Sequence, residues 1–498
     1  MSDKRFKELL NDGRHYNLRI LLIHKAESEE LSHEPVLPTG IAILAAICKR
    51  KGVSVRCLDY SVIHFNRERL DEILEEERID VVGLSATTQA IPRIYKIIRA
   101  IKESHPRIII MMGGPHVTVL YEEAIENGTN IVVRNEGELT FLELLPLLEG
   151  ATPAKITDRL ESVKGIAYRG ADGKIQLNPS PARIRDLDLI PFPDRDSFEF
   201  PDKYHMAIRI TRGNSFSVLG TRGCPGHCFF CSRAVFGHAV SARSPENMVE
   251  EICLVKKRYP DITQFEFLDD YLLFDLDRMN RFCDLMIKRK VNLYWSAGNS
   301  RVDNIELDTL KKMKTSGCFK INYGIEAGTD EILKSINKEI TIADARRAIE
   351  VTHRAGLYVG VYFILGHHRE TIEDIEATIR LARSLPADAV QFTINTPWPG
   401  TSMYRYLEKK NYLLSKNWDD YQYFKKPVFH TENLTPEILE KMLHKAYLSY
   451  YFNPCLYFRH LKNLLFTRRF YLYYTTLSLI LSNLLKREKS NINKKSNR

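Results

Sequence analysis

The sequence predicts an α/β protein with two regions of alternating strands and helices, followed by a helical C-terminal region. Short apolar runs alternate with helical patterns along residues 18–150, and the alternation resumes at residue 215. Strands that alternate with helices of ordinary length form βαβ units, and these units build parallel sheets. The chain has 498 residues, which is enough for two or three such domains.

The first region contains strand signals separated by helical patterns such as Thr39–Arg50. The five apolar runs are residues 19–23, 53–58, 80–84, 107–112 and 130–133. Five βα units of this kind predict a doubly wound, flavodoxin-like domain over residues 1–150. The ligand of such a domain binds beyond the carboxyl ends of its parallel strands.

Small or polar residues follow three of these strand ends. Ser85 and Thr87 follow the third run, Gly113 and Gly114 follow the fourth, and Glu136 follows the fifth. Glycine and small side chains let a large ligand approach the backbone closely. One such residue is common in any βα loop, but their occurrence on successive strand ends predicts a binding crevice.

The second region begins after a predicted connector, residues 151–214, in which Asp172 and Gly173 occupy the turn of a hairpin. Strand signals then recur at residues 215–219, 264–268, 291–295, 320–324, 358–364 and 389–393. Six βα units predict a partial (β/α)6 barrel over residues 215–430, more open than the closed eight-unit form. Residues 431–498 are predicted to be helical and to end in a basic tail.

Cys224, Cys228 and Cys231 form a short run directly after the first barrel strand. Three thiolates can hold three irons of a 4Fe-4S cubane and leave the fourth iron open to a substrate or cofactor. A structural zinc site usually needs four ligands, and no second Cys or His pair follows at the usual spacing. A disulfide is disfavoured because the other cysteines are scattered singly and no secretory leader is visible.

Charge and the N-terminal sequence suggest a cytoplasmic protein that does not bind nucleic acid. The net charge is +9, and part of it comes from the Lys- and Arg-containing tail after Lys486. We interpret that tail as a solvated segment and not as a nucleic-acid arm. The first residues contain no apolar stretch of the kind found in signal peptides.

The segment 470–485 carries no charge and is flanked by Arg468, Arg469, Lys486 and Arg487. It is shorter than the about 20 residues that a membrane-spanning helix needs. Two interpretations remain open: a buried helix, or an interfacial helix that gives peripheral membrane contact. The aromatic residues of this C-terminal region weakly favour a hydrophobic substrate, although a helical core would explain them equally well.

Several motifs recur along the chain at strand ends. They are Cys224-x-x-x-Cys228-x-Phe230-Cys231, Phe267-Leu-Asp-Asp-Tyr271, Gly324-Ile-Glu-Ala-Gly328, Phe363-Ile-Leu-Gly366 with Glu370-Thr371, and Thr396-Pro-Trp-Pro-Gly-Thr401, together with "GGPH" and "EGE" in the first region. Together they resemble the radical S-adenosylmethionine (SAM) superfamily, in the branch with an N-terminal cobalamin-binding domain. The resemblance spans roughly residues 18–430 and is closest to the group of the anaerobic magnesium-protoporphyrin ester cyclase and hopanoid-associated enzymes.

The resemblance implies a 4Fe-4S cluster held by the three cysteines, with SAM chelated by the open iron. Cleavage of SAM would give a 5′-deoxyadenosyl radical that removes hydrogen from an unactivated carbon. Phe230 would pack near the adenine, and Asp269 or Asp270 near the methionine amine or the ribose. Glu326 would face the ribose or amine, and Arg301 could pair with the SAM carboxylate. Each of these side chains could instead have a structural role.

The resemblance also implies cobalamin, with Ser85, Thr87, Gly113 and Gly114 lining its nucleotide tail and Glu136 in the same site. The Asp-x-His-x-x-Gly motif that supplies a cobalt ligand elsewhere is absent. His24 and His33 lie after the first strand without that pattern, so we expect cobalamin without a histidine on cobalt. A chain that has lost cobalamin is the alternative.

A second departure from the branch is His367-His368-Arg369, where a proline-containing sequence is usual. These residues follow a barrel strand and face the expected site. One interpretation is a histidine that has a shifted pKa or that relays protons at the site. The other interpretation is a solvated loop, and the sequence alone favours it.

The expected function is radical C–H functionalisation of a small molecule, with methyl transfer to an unactivated carbon as the first choice. Oxidative cyclisation or another rearrangement, with or without cobalamin, is the alternative. A sensor without turnover would need neither an open iron nor acids at the strand ends. A radical enzyme whose first domain only packs or binds substrate is a further possibility. The reaction needs a low-potential electron donor such as ferredoxin or flavodoxin.

Overall fold

The fold was analysed in a computed structural model that describes residues 2–25, 35–199, 204, 209–422 and 426–454. The apolar segment 470–485, the basic tail and His33 lie outside these residues. Among the helices of the described ranges, none combines the length and apolar character that crossing a membrane requires. The predicted peripheral membrane contact therefore stays a prediction.

The first sheet has seven strands. They are β1 (Arg19–His24), β2 (Ser54–Asp59), β3 (Val81–Ser85), β4 (Ile109–Gly113), β5 (Ile131–Val133), β6 (Ile166–Arg169) and β7 (Ile175–Leu177). Their order is β2-β1-β3-β4-β5-β6-β7, with the first five parallel and the last two antiparallel. The order 2-1-3-4-5 confirms the predicted doubly wound, flavodoxin-like fold. The hairpin β6–β7, which was predicted within the connector, extends this sheet.

Helices cover both faces of the first sheet because its parallel strands are apolar on both sides. Ile20 and Leu22 of β1 belong to one core cluster, and Leu21 and Ile23 belong to the other. The helices of this region are α1 (Ser2–Asn11), α2 (Thr39–Arg50), α3 (Arg67–Glu76), α4 (Ile91–Ser104), α5 (Pro115–Val119), α6 (Tyr121–Glu126), α7 (Glu138–Leu148) and α8 (Pro153–Ile156).

The second sheet has six parallel strands with a short ribbon inserted after the first. The strands of this region are β8 (Asn214–Val218), β9 (Thr221–Arg222), β10 (Ser241–Ala242), β11 (Ile262–Phe267), β12 (Tyr294–Ser300), β13 (Cys318–Glu326), β14 (Tyr358–Leu365) and β15 (Ala389–Ile394). The sheet order is β15-β14-β13-β12-β11-β8, and β9 pairs with β10. Consecutive parallel strands in sequence order confirm the partial (β/α)6 barrel.

Helices form the outer layer of the barrel. They are α9 (Pro245–Arg258), α10 (Leu276–Lys288), α11 (Leu307–Thr315), α12 (Asp330–Ser335), α13 (Ile342–Arg354), α14 (Ile372–Ser384), α15 (Ser402–Lys410) and α16 (Pro436–Tyr451). Capping boxes at Thr341 and Thr371 satisfy backbone donors and fix where α13 and α14 begin. The helix α16 packs on β15 and α14, and it is the described part of the predicted helical C-terminal region.

Candidate functional site

Two cavities lie at the carboxyl ends of the two sheets, where the first domain meets the barrel. The sheet cavity, about 190 Å³, is lined by the ends of β3, β4 and β5, including Ser85 and Gly113, and by Arg222 from the barrel region. The barrel cavity, about 920 Å³, lies over the barrel strand ends and also reaches Gly114 of the first domain. Gly114, Val235 and Phe236 line both cavities, so the two spaces adjoin.

All three cysteines of the run line the barrel cavity. Their loop leaves β9 through Gly223, whose φ of +84° favours glycine and whose position leaves no room for a Cβ beside the carbonyl of Ala239. The backbone N–H of Phe229 donates to the Ile336 carbonyl at 2.9 Å, and the Phe229 carbonyl accepts from Met403 at 3.0 Å. The loop is therefore fixed across the mouth of the barrel.

The cysteine arrangement fits a cubane cluster better than a single metal ion. Within the described residues, no three His, Cys, Asp or Glu side chains converge closely enough to hold one ion. A cubane separates its cysteine ligands more widely, because each sulfur binds a different iron. Cys224 and Cys228 are half-buried and Cys231 is exposed, and all three are free thiols.

A buried polar network faces the cysteine loop from β12 and β13. Glu326, with a φ of +79°, forms an ion pair with Lys338 at 2.8 Å, and both side chains are buried. The Lys338 ammonium lies 6.0 Å from the centre of the Phe230 ring. Arg301 donates to both carboxylate oxygens of Asp303 and to the Lys338 carbonyl. Phe230, Arg301 and Glu326, all predicted site residues, therefore lie in one network at this wall.

The two candidate aspartates are in different places. Asp270 is exposed, lines the barrel cavity and accepts the backbone N–H of Gly223 at 2.8 Å. Asp269 is buried behind the wall and accepts the N–H of Gly220 at 3.1 Å. Burial raises the pKa of Asp269 to about 6. Of the two, only Asp270 has access to a ligand in the barrel cavity.

His367 and His368 are buried, so the solvated-loop interpretation is wrong for both; only Arg369 is exposed. The His367 ring lies 5.7 Å from the Phe230 ring, and the His368 ring lies 4.3 Å from the Phe229 ring. Burial lowers the pKa of His367 to about 4. Burial also lowers the pKa of His368. Both shifts favour the neutral imidazole, and the two rings pack beneath the cysteine loop.

Glu370 is fully buried at the end of the loop before α14, next to the N-cap Thr371, and accepts the N–H groups of Gly366 at 2.5 Å and His367 at 3.1 Å. Burial raises its pKa to about 8 from a reference value of 4.5. The folded protein thus keeps this proton to a higher pH than the unfolded chain does. Its contribution to stability is fully present below pH about 4.5 and is lost as the pH rises through about 8.

We expect Glu370→Gln, which cannot ionise, to reduce the loss of stability between about pH 5 and pH 8. Urea unfolding midpoints across this range measure the effect. Glu373→Gln is the matched control, because Glu373 is exposed in the first turn of α14. Parallel stability curves for the native protein and Glu370→Gln would contradict the raised pKa.

The sheet cavity contains most of the predicted residues of the first domain. Ser85, Gly113, Gly114 and Glu136 line it. Thr87 does not line either cavity, although its buried hydroxyl has no hydrogen-bond partner among the described residues. His24 ends β1 and likewise lines neither cavity within the described part of the chain.

Two buried acceptors at the sheet cavity have no partner within the described residues: Oδ1 of Asn135 and Oε2 of Glu136. Buried polar atoms are normally hydrogen-bonded. Amide donors and apolar surface on a ligand match the chemistry of this lining, which otherwise consists mainly of apolar side chains. The residues present are therefore compatible with the amide-bearing cobalamin that the sequence predicts.

Sequence reasoning missed a buried ion triad between the two domains. Arg222, directly before the cysteine loop, donates to Glu136 at 3.3 Å and to Glu138 at 2.6 Å. Burial works against the charge of Arg222, but the carboxylates of Glu138 and Glu136 raise its pKa overall. Burial raises the pKa of Glu136. The sequence signal was only an arginine between the first barrel strand and the cysteine run, which does not identify its partners.

Comparison with known families agrees with this architecture. Residues 32–145 match the B12 binding domain family, and residues 218–382 match the radical SAM superfamily. The first match covers the sheet-cavity strands, and the second covers the cysteine loop and most of the barrel.

Several whole proteins are similar to this chain over most of its length. An uncharacterized methyltransferase of Pyrococcus horikoshii is 34% identical, over 84% of this chain and 88% of the relative. The anaerobic magnesium-protoporphyrin IX monomethyl ester cyclase of Rubrivivax gelatinosus is 30% identical, over 79% of this chain and 70% of that protein. The solved structure of OxsB, a cobalamin-dependent SAM radical enzyme with aqua-cobalamin and SAM bound, superimposes with a TM-score of 0.70 at 13% identity, over 99% of this chain and 86% of OxsB. At that identity the similarity establishes the fold alone.

Proposed function

Because this chain belongs to the radical SAM superfamily, in the group with an N-terminal B12-binding domain, we propose that it transfers a methyl group to an unactivated carbon of a small molecule. Its cofactors are a 4Fe-4S cluster and SAM, with cobalamin in the first domain. One observation carries the proposal: the sheet cavity and the cysteine-lined barrel cavity adjoin through Gly114, Val235 and Phe236. Groups bound in the two domains can therefore approach each other where the cavities adjoin.

When bound, these cofactors supply a 5′-deoxyadenosyl radical for hydrogen removal and a methyl group for transfer. The reaction replaces one C–H hydrogen by CH₃. The hydrogen leaves in 5′-deoxyadenosine, and the rest of that first SAM leaves as methionine. The methyl group comes from a second SAM, which leaves as S-adenosylhomocysteine, and the electron donor supplies two electrons for each methyl group transferred. The protein contributes binding, orientation and exclusion of side reactions.

The barrel residues would hold the cluster and SAM. Cys224, Cys228 and Cys231 would bind three irons as thiolates, so cluster binding releases their protons. Phe230 would offer a flat apolar surface to the adenine, and Arg301 a planar fork of donors to the SAM carboxylate. Asp270, which also accepts the Gly223 N–H, would hold the cysteine loop and face the SAM amine.

The ion pair of Glu326 with Lys338 would face the ribose from the end of β13. In the sheet cavity, Ser85, Gly113 and Gly114 leave room for the nucleotide tail of cobalamin. The unpartnered oxygens of Asn135 and Glu136 would accept from its amide groups. Among the described residues no histidine lines either cavity, and His33 lies outside them, so binding without a histidine on cobalt stays a prediction.

Oxidative cyclisation is the second candidate, because a relative that is 30% identical is a cyclase. Either reaction needs a low-potential electron donor, and we propose a ferredoxin or flavodoxin in a reducing cytoplasm. The stoichiometry of SAM products separates the two reactions. Methyl transfer converts one SAM to 5′-deoxyadenosine and a second SAM to S-adenosylhomocysteine. Cyclisation converts SAM to 5′-deoxyadenosine alone.

The test is anaerobic reconstitution with iron, sulfide, hydroxocobalamin, SAM and a reductant, in the presence of an extract of the cells that produce the protein. Mass spectrometry should find 5′-deoxyadenosine and S-adenosylhomocysteine in equal amounts, and optical spectra should show bound cobalamin. 5′-Deoxyadenosine without S-adenosylhomocysteine would favour cyclisation. Absence of both products would reject a radical SAM reaction.

A further inference from the structure

The inner face of β15 carries a row of neutral polar side chains at the barrel cavity. Gln391, Thr393 and Asn395 alternate along the strand and all line this cavity. The intervening Phe392 and Ile394 belong to the hydrophobic core. Because strand side chains alternate between faces, the polar row points as a set into the barrel. We call Gln391, Thr393 and Asn395 the β15 polar row.

Asn395 is the member of the β15 polar row whose side-chain donor is unsatisfied. Its side chain is 5% exposed, and its Nδ2 donor has no hydrogen-bond partner within the described residues. Its backbone N–H donates to the Leu365 carbonyl at 2.8 Å, which fixes the residue at the strand end. A buried amide donor without a partner is unfavourable, so its retention at a cavity wall points to an acceptor on a bound molecule.

The neighbouring strand offers a second donor. The Tyr362 hydroxyl lines the same cavity and accepts from Asn322 Nδ2 at 2.8 Å, so its own proton can be donated. Ile364 and Trp398 provide apolar surface close to these groups. The wall formed by β14 and β15 thus combines hydrogen-bonding groups with a surface for a carbon skeleton.

The β15 polar row is separate from the wall proposed for SAM. Phe230, Asp270, Arg301 and Glu326 lie on the cysteine loop or at the ends of β11, β12 and β13. Parallel strands lie about 4.8 Å apart, so β15 is about 10 Å from β13, with β14 between them. A molecule on β15 would therefore contact a different part of the cavity wall from the residues proposed for SAM.

We infer that the substrate is a neutral polar molecule, with carbonyl or hydroxyl oxygens that accept hydrogen bonds from the β15 polar row. This inference rests on the proposed function and names the class of its methyl acceptor. The row contains no charged side chain, which disfavours a phosphate or another ionic head group as its ligand. A lipid hydrocarbon would leave Asn395 unpartnered, contrary to the hydrophobic substrate that the C-terminal aromatic residues suggested.

The reconstituted holoenzyme, with SAM carrying a trideuterated methyl group, tests the inference on two extracts of the producing cells. One extract is aqueous and the other is made with chloroform. We expect a trideuteromethylated product from the aqueous extract. A labelled product only from the chloroform extract would overturn the inference and leave methyl transfer intact.

Stimulation of 5′-deoxyadenosine formation is a second readout that does not depend on methyl transfer. If no label enters a product in either extract, the aqueous extract should still stimulate 5′-deoxyadenosine formation. In that case the proposed methyl transfer would be wrong, and the inferred substrate class would stand. Stimulation by the chloroform extract alone would overturn the inference in that case too. No stimulation by either extract would also count against it.

Asn395→Asp tests the assigned residue, because it removes the donor at almost unchanged volume. We expect about a tenfold rise in the KM for the fractionated acceptor, with iron content and the Kd for SAM unchanged. Asn417→Asp is the matched control, because Asn417 is exposed and aspartate also serves as an N-cap. A rise confined to the Kd for SAM, or unchanged KM values in both Asn395→Asp and Thr393→Val, would overturn the assignment.

Discussion

Cys228→Ala should lower the iron content of the reconstituted protein and reduce 5′-deoxyadenosine formation to the protein-free background. Cys228 is one of three cysteines that line the barrel cavity, and the described part of the chain offers no further cysteine there. Two thiolates cannot bind three irons of a cubane, because each iron is held by its own cysteine sulfur. Without the cluster, SAM has neither an open iron nor an electron source, so the loss should be complete.

Iron and sulfide analysis, optical spectra and product quantification measure this loss. Cys253→Ala is the matched control, since Cys253 is a free, half-buried cysteine on α9 that does not line the cavity. The control should keep both the cluster and product formation. Full 5′-deoxyadenosine production by Cys228→Ala would mean that these cysteines do not hold the catalytic cluster.

The strands and the cysteine loop were predictable because their signals are local. The run 19–23 and the observed β1 (Arg19–His24) differ by one residue, and the helix Thr39–Arg50 has the predicted bounds. Hydrophobic periodicity over a few residues is enough to specify such elements. The cysteine spacing is equally local, and the position after a barrel strand followed from counting βα units.

Side-chain environments were less predictable because they depend on contacts between distant parts of the chain. His367 and His368 follow a strand, and the sequence alone suggested solvation. They are buried because the cysteine loop places Phe229 and Phe230 over them. The same limit applies to Asp269 and Asp270, adjacent residues that face opposite sides of one wall.

Arg222→Met should strongly destabilise the protein and impair cluster loading. Arg222 is 3% exposed and is the positive member of the triad with Glu136 and Glu138, which lie 86 and 84 residues earlier in the chain. Removing one partner of a buried ion pair leaves an uncompensated charge, at a cost of about 3–5 kcal/mol. We expect a lower urea midpoint at unchanged m-value.

The triad also connects the two cofactor sites. The Arg222 side chain lines the sheet cavity, and its backbone continues through Gly223 into Cys224. The Arg222 carbonyl accepts from Arg183 at 2.9 Å, which fixes the same turn from the other side. A displaced Arg222 would therefore move the first cysteine and change the wall that cobalamin would contact.

A triple variant separates lost stability from lost positioning. In Arg222→Met with Glu136→Gln and Glu138→Gln, no member of the triad is charged, and such neutral replacements of buried ion groups are often close to neutral in stability. We expect the urea midpoint to recover while iron content and the Kd for hydroxocobalamin stay impaired. If the urea midpoint, the iron content and the Kd for hydroxocobalamin all recover together, the triad contributes only stability. If Arg222→Met alone keeps the native midpoint and the native Kd, the triad does not connect the two sites.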